Sequence, residues 1–186
     1  MAKKTNNGQK GALADPTKVK PFRKKDDLVR VIVETPKGCR NKYAFDPVNE
    51  IFTLKRVLPA GMAFPYDFGF VPQTRADDGD PVDVLILMEE PAFPGCMLRC
   101  RLVGVIEGEQ EEDGKKQRND RILVIESGSH MYAQINTVDD IPQKLVEEIG
   151  DFFVNYHKLE GHKFRVLGVK GPDQARRLID SGLVAA

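Results

Sequence analysis

Alternation and β-branched content mark residues 28–34, Leu-Val-Arg-Val-Ile-Val-Glu, as the first strand. Residues 40–46 and 51–56 read as two more, and Asp46-Pro47-Val48-Asn49-Glu50 between them as the polar turn of a hairpin. Residues 58–70 are aromatic and punctuated by Pro and Gly, so no long helix is expected, and their Phe and Tyr side chains read as core. Val84-Leu85-Ile86-Leu87-Met88 is a short unbroken apolar run that closes at Glu89-Glu90-Pro91, which predicts a strand buried on both faces. Strands are also predicted over 97–105 and 122–125. The charged stretch 107–118 between them reads as a long polar loop where a ligand can enter. Helical spacing comes late, at Ile141, Leu145, Val146, Ile149, Phe152, Phe153, Tyr156 and Leu159, opened by Asp139-Asp140-Ile141-Pro142 and closed by Gly161. A strand at 164–167 and an amphipathic helix at 172–180 finish the chain, and no internal repeat is visible. Many short strands followed by one strong helix predict a mainly β, α+β fold: a small closed barrel with helices laid outside it.

Composition narrows the class. With 186 residues and 41% apolar content, the chain is long enough for one globular domain with a sizeable core. No apolar run approaches membrane-spanning length, so no membrane partner is expected. The formal net charge is zero but unevenly spread. Residues 1–25 carry eight Lys and Arg against the single Asp15, which leaves twenty basic and twenty-seven acidic residues in the rest. This divides the chain into an expected basic, disordered tail (1–25) and a single folded domain (26–186). The basic head lacks the apolar segment of a signal peptide, so a cytoplasmic location is expected. Cys39, Cys96 and Cys100 are odd in number and without framework spacing, which suits reduced thiols rather than disulfides or a zinc site.

The candidate chemistry sits just before the apolar run, in Asp78-Gly79-Asp80-Pro81-Val82-Asp83. Three like charges this close raise one another's pKa unless something positive lies among them. A hard divalent cation, which prefers carboxylate oxygen, meets that need. Asp-Gly-Asp is also ordinary turn chemistry, and solvated aspartates need no metal. An EF-hand loop is excluded, because its sixth position requires Gly and here holds Asp83. Further charges fall at strand ends: Glu34, Lys42, Arg56, Glu109, Asp120 and Arg121. Mixed carboxylates and fixed cations suit a polyanionic substrate bound with divalent metals, attacked by an activated water.

These residues also carry a family resemblance. Asp78-Gly79-Asp80-Pro81-Val82-Asp83-Val84 resembles the signature of the family I (soluble) inorganic pyrophosphatases. Glu34-Thr35-Pro36, Asn41-Lys42-Tyr43, Lys55-Arg56, the segment from Phe64 through Phe70, Val103-Gly104-Val105 and Phe152-Phe153-x-x-Tyr156 are similar to further landmarks, so the likeness spans about 28–168. The resemblance implies an OB-type five-stranded barrel with peripheral helices that hydrolyses inorganic diphosphate with several magnesium ions. Manganese, zinc or cobalt are substitutes, and a homo-oligomer, up to a hexamer, is implied. It makes Asp78, Asp80 and Asp83 metal ligands, with Asp80 also helping to deprotonate the attacking water and Glu34 as an outer acidic partner. Lys42, Arg56 and Tyr156 would hold phosphoryl oxygens, joined by Arg121 and Lys158, and Glu109 and Asp120 are candidate ligands from the charged loop.

The chain also departs from the family pattern. Ala44 stands where many members have Glu, Phe64 and Phe68 where tyrosines are usual, and His157 where Lys is common. Asn119 and Arg121 align with an acidic and a basic position downstream of the loop. The metal and water half of the site is thus expected intact and the phosphate-holding half altered. A hydrolase of organic diphosphates is one alternative. A non-catalytic OB-type module that stacks single-stranded nucleic acid on these aromatics is another, although an aspartate cluster without metal would repel phosphates.

Overall fold

The computed structural model describes residues 15–23 and 26–184. Of the predicted tail, residues 1–14, 24 and 25 lie outside that set. Pro16–Lys18 forms a single 3-10 turn, and Phe22–Arg23 (β1) pairs antiparallel with Asp26–Thr35 (β2).

The predicted hairpin forms from Asn41–Asp46 (β3) and Ile51–Val57 (β4), a separate two-stranded ribbon. Asp67–Phe70 (β5) is a strand the sequence pattern did not single out. It packs tightly on β2 because Gly69 carries no side chain: a Cβ there would lie 1.9 Å from the Ile32 carbonyl oxygen. Asp83–Leu87 (β6) is the predicted apolar strand, paired antiparallel with β5. Met97–Glu112 (β7), Lys115–Arg118 (β8) and Arg121–Glu126 (β9) follow.

Pairings β2–β5, β5–β6, β6–β9, β9–β7 and β7–β2 close a ring of five strands. That ring is the expected OB-type barrel. Val84 to Leu87 of β6 are wholly buried. Val84 and Ile86 pack in one apolar cluster while Leu85 and Leu87 pack in the other, as a period of two requires. Each such side chain contributes about 1.5–3 kcal/mol on burial.

The charged stretch 107–118 is not a loop. β7 runs on to Glu112 and turns back as β8, with Glu112 paired to Lys115. Asp113 (φ 49°) and Gly114 (φ 75°) make the two-residue turn, whose double positive φ matches the twist of the strands. Opposite charges face each other across the ribbon, Glu111 to Lys116 and Glu109 to Arg118. The polar composition that suggested a loop is the composition of a solvated hairpin.

Gln143–Leu159 (α1) follows a 3-10 turn at Val138–Asp140, and its Ile149, Phe153 and Tyr156 join the cluster that holds Leu85. Gly161, at φ 82°, lets the chain leave the helix, as expected. Lys163–Lys170 (β10) pairs with β7, and Pro172–Gly182 (α2) buries Ala175 and Ile179 against the cluster that holds Val84. All three cysteines are free, with Cys100 buried. Among the described residues, no helix is long and apolar enough to cross a membrane.

Candidate active site

The barrel, the β3–β4 ribbon and α1 enclose a cleft of ≈ 280 Å³. Asp78, Asp80 and Asp83 line one side and Lys42, Arg56, Arg121 and Tyr156 the others. The sequence separation between these groups reaches from β3 to α1, so only the closed fold brings them together.

The aspartate turn is fixed by its own backbone. Gly79 takes φ 92°, the Ala76 amide donates to the Asp80 carbonyl at 2.7 Å, and the Asp80 amide donates to Asp78 Oδ1 at 3.1 Å. The Val82 amide donates to Thr74 Oγ1 at 2.9 Å, which anchors the turn to the barrel. Asp83, on the first residue of β6, takes an ion pair from Arg121 Nη1 at 2.8 Å. Burial pushes the carboxyls of Asp78 and Asp83 above the usual aspartate range, and the neighbouring aspartates push the same way. The aspartate oxygens do not all converge within 4.8 Å, so the set is open rather than a closed cage.

Glu34 lies in an adjoining recess that shares Lys42, Asp80 and Asp83 with the cleft. It is 9% exposed, and desolvation raises its pKa to about 7 despite a 2.9 Å hydrogen bond from the Phe45 amide.

Lys42 and Arg56 are cross-strand partners in the ribbon. Both reach over the ring of Tyr156, with Lys42 Nζ 5.3 Å and the Arg56 guanidinium carbon 5.9 Å from its centroid. Arg56 also pairs with Glu160. Burial opposes ionisation of Glu160, but His157 and Arg56 outweigh it and hold the carboxyl at about 2. Burial raises the pKa of the Tyr156 hydroxyl, and the Glu160 carboxylate beside it pushes the same way. Arg121 is 4% exposed, bonds to Asn119 as well as Asp83, and lies 5.0 Å above the Phe153 ring.

Three expected site residues lie elsewhere. Glu109 pairs with Lys116 at 3.3 Å and Arg165 at 3.2 Å on the outer face of the ribbon. Asp120 accepts from Arg118 and from the Gly108 amide, both at 2.9 Å, beside a different recess. Lys158 is exposed and does not line the cleft. For Glu109 and Asp120 the cause is alternation. Gln110 and Glu112 face the cleft while Glu109 faces away, and Asn119 and Arg121 face it while Asp120 faces away. Gln110, Glu112 and Glu160 were not read from the sequence. The period of two along 107–112 was the available signal, hidden while that stretch was taken for a loop.

The departures all border the site. Phe64, Phe68 and His157 line the cleft, and Ala44 lines the recess beside Glu34. The buried amides of Gln110 and Asn119 bond to each other at 2.5 Å, so these two positions bring no charge to the cleft.

A family model described as inorganic pyrophosphatase matches residues 31–185. An inorganic pyrophosphatase of Nostoc sp. is 36% identical over 165 residues, 89% of this chain and 95% of the relative. One from Haloferax volcanii is 37% identical over 84% of this chain and 87% of its own length. The crystal structure of the Thermus thermophilus inorganic pyrophosphatase superposes with a TM-score of 0.84 at 29% identity, covering 91% of this chain and 97% of that one. With the ring of five strands and the aspartate turn at its mouth, these likenesses make the chain a member of the inorganic pyrophosphatase family.

Proposed function

We propose that this chain hydrolyses inorganic diphosphate to two phosphates. The observation that carries the reading is the convergence of three aspartates and three fixed cations on one cleft. A tetra-anionic substrate needs both: cations to hold its oxygens and carboxylates to hold counter-ions and receive a proton.

The donor set fits divalent ions, because Asp78, Asp80 and Asp83 offer only hard oxygen and Arg121 offsets one carboxylate alone. Held there, with Glu34 behind them, magnesium ions would supply Lewis acidity, neutralising diphosphate charge and making water easier to deprotonate. Asp80 is exposed at the cleft mouth and accepts the proton of the attacking water. Lys42 and Arg56 hold phosphoryl oxygens from the ribbon side, and Arg121 both holds Asp83 in place and adds positive charge beneath the substrate. The Tyr156 hydroxyl, which lines the cleft beside Glu160, donates to a phosphoryl oxygen.

Burial of Phe64 and Phe68, 2% and 3% exposed, favours this substrate over an organic diphosphate or a nucleic-acid base. Their rings pack on each other and on Phe152 and Phe153, and offer no open face for stacking. Phosphate release from diphosphate, compared with nucleoside diphosphates at equal magnesium, tests the reading. Faster turnover of a nucleoside diphosphate would overturn it.

We further propose a cytoplasmic homo-oligomer, up to a hexamer, with the basic tail of residues 1–25 joined to the catalytic domain through β1, which pairs with β2. Phe93 and Met131 support self-association, being 70% and 74% exposed on loops that Glu89 ties together through the Met131 amide. Light scattering reads the assembly directly, and a monomer at micromolar concentration would refute it.

A further inference from the structure

Beyond the aspartate turn, a second group of metal-binding side chains stands at the opposite wall of the cleft. His157 and Glu160 line that wall, and His162 adjoins it through Gln110, whose Nε2 is 3.4 Å from His162 Nδ1. Among the described residues, this is the one group of His, Cys, Asp and Glu whose ligand atoms all lie within 4.8 Å of one another.

We propose that His157, Glu160 and His162 bind a borderline divalent metal of the zinc type, at a site separate from the aspartate turn. The distances suit it. Donor atoms about 2.0–2.1 Å from a tetrahedral zinc stand about 3.3 Å apart. Glu160 Oε2 is 3.5 Å from His157 Nδ1 and 3.9 Å from His162 Nδ1, so small side-chain shifts complete the geometry.

Two independent features point to a ligand. His157 is 4% exposed; its Nδ1 lies 3.5 Å from Glu160 Oε2, and its Nε2 has no hydrogen-bond partner among the described residues. A buried imidazole nitrogen without a partner forgoes the satisfaction that nearly all buried polar groups find. Its ring is held in orientation by stacking on Phe164 at 4.8 Å and 7°. His162 has a metal-binding arrangement on both sides: Nδ1 lies 3.9 Å from Glu160 Oε2, where a metal would displace the Gln110 amide at 3.4 Å, and Nε2 lies 3.2 Å from Glu112 Oε1. A carboxylate behind the outer nitrogen fixes the tautomer and raises basicity. Glu160 can serve without releasing Arg56, because Oε1 takes the arginine and Oε2 faces the histidines. Three protein ligands leave a fourth position open, as in catalytic rather than structural zinc sites. Imidazole nitrogen also separates this site from the aspartates, since magnesium prefers oxygen throughout.

The test is a cobalt and zinc titration of the full-length chain, stripped with chelator and then saturated with magnesium to cover the aspartates. The expected result is one cobalt per chain with the visible absorption of a nitrogen-ligated, low-coordinate ion, displaced by one zinc. His162→Ala, at a part-exposed position, should abolish the band in a chain whose urea midpoint is unchanged. Glu112→Gln should weaken zinc binding by about 10–100-fold, the usual effect of losing a carboxylate behind a ligating histidine. Asp80→Asn should leave the affinity unchanged. No cobalt band under saturating magnesium, or a band that survives His162→Ala or vanishes in Asp80→Asn, would overturn the proposal.

Discussion

Replacing Arg121 with Met isolates the electrostatic keystone of the cleft. The guanidinium is 4% exposed and its Nη1 sits 2.8 Å from Asp83 Oδ2, whose side chain is 23% exposed. Met keeps much of the apolar stem packed beneath Phe153 but leaves Asp83 with no cation in contact. Removing one partner of a buried ion pair costs about 3–5 kcal/mol, and the partial exposure of Asp83 places the loss near 3 kcal/mol. With a urea m-value of about 2 kcal/mol/M, the midpoint should fall by about 1.5 M in metal-free buffer. The loss should depend on pH. Burial already raises the Asp83 pKa and Arg121 opposes that rise, so the variant's folded pKa climbs further above the unfolded value of about 3.9. The penalty is therefore small where Asp83 is protonated in both states and grows as pH rises through its folded pKa. Urea melts at pH 5 and pH 8 read it, and Asp83→Asn in the same chain should recover most of the loss. A loss under about 1 kcal/mol at pH 8, or one independent of pH, would refute the electrostatic reasoning.

Glu34→Gln should raise metal-free stability above pH 7 relative to the native chain, by up to about 3 kcal/mol. The sign follows from its pKa of about 7: native stability from this group is full below the unfolded value and lost as pH rises through 7. A stability difference between the two chains that is the same at pH 5 and at pH 9 would contradict it. Phe68→Tyr should lower KM for diphosphate by about tenfold, because it returns to the cleft a hydroxyl able to bond a charged oxygen, worth about 1–3 kcal/mol. Unchanged KM in a folded variant would show that the ring does not face the substrate.

The barrel was legible wherever one physical signal decided the matter. β6 announced itself through four consecutive apolar residues, and its two-sided burial follows from them. α1 did so through its apolar spacing. Asp78, Asp80 and Asp83 were legible because they sit in one short turn, as were Lys42, Arg56 and Tyr156 through the resemblance. The second wall of the cleft was not legible. Gln110, Glu112 and Glu160 are ordinary polar residues in sequence, and only the β7–β8 register turns the first two inward. Glu109 and Asp120 fall outside the cleft for the same reason: a shift of one residue along the chain reverses the face. Four-residue β5 was hidden by the Pro and Gly around it, and Gly69 is explained only by the Ile32 carbonyl it lies against.

The most direct test of the central claim is phosphate release from diphosphate in saturating magnesium by the native chain and by Asp80→Asn. Asp80 is exposed, so the substitution should change stability by no more than about 0.5 kcal/mol. The account predicts rapid release by the native chain and at least about a hundredfold loss of kcat in the folded variant, the scale of general-base assistance. Equal rates in the two chains, or no release by the native one, would contradict it.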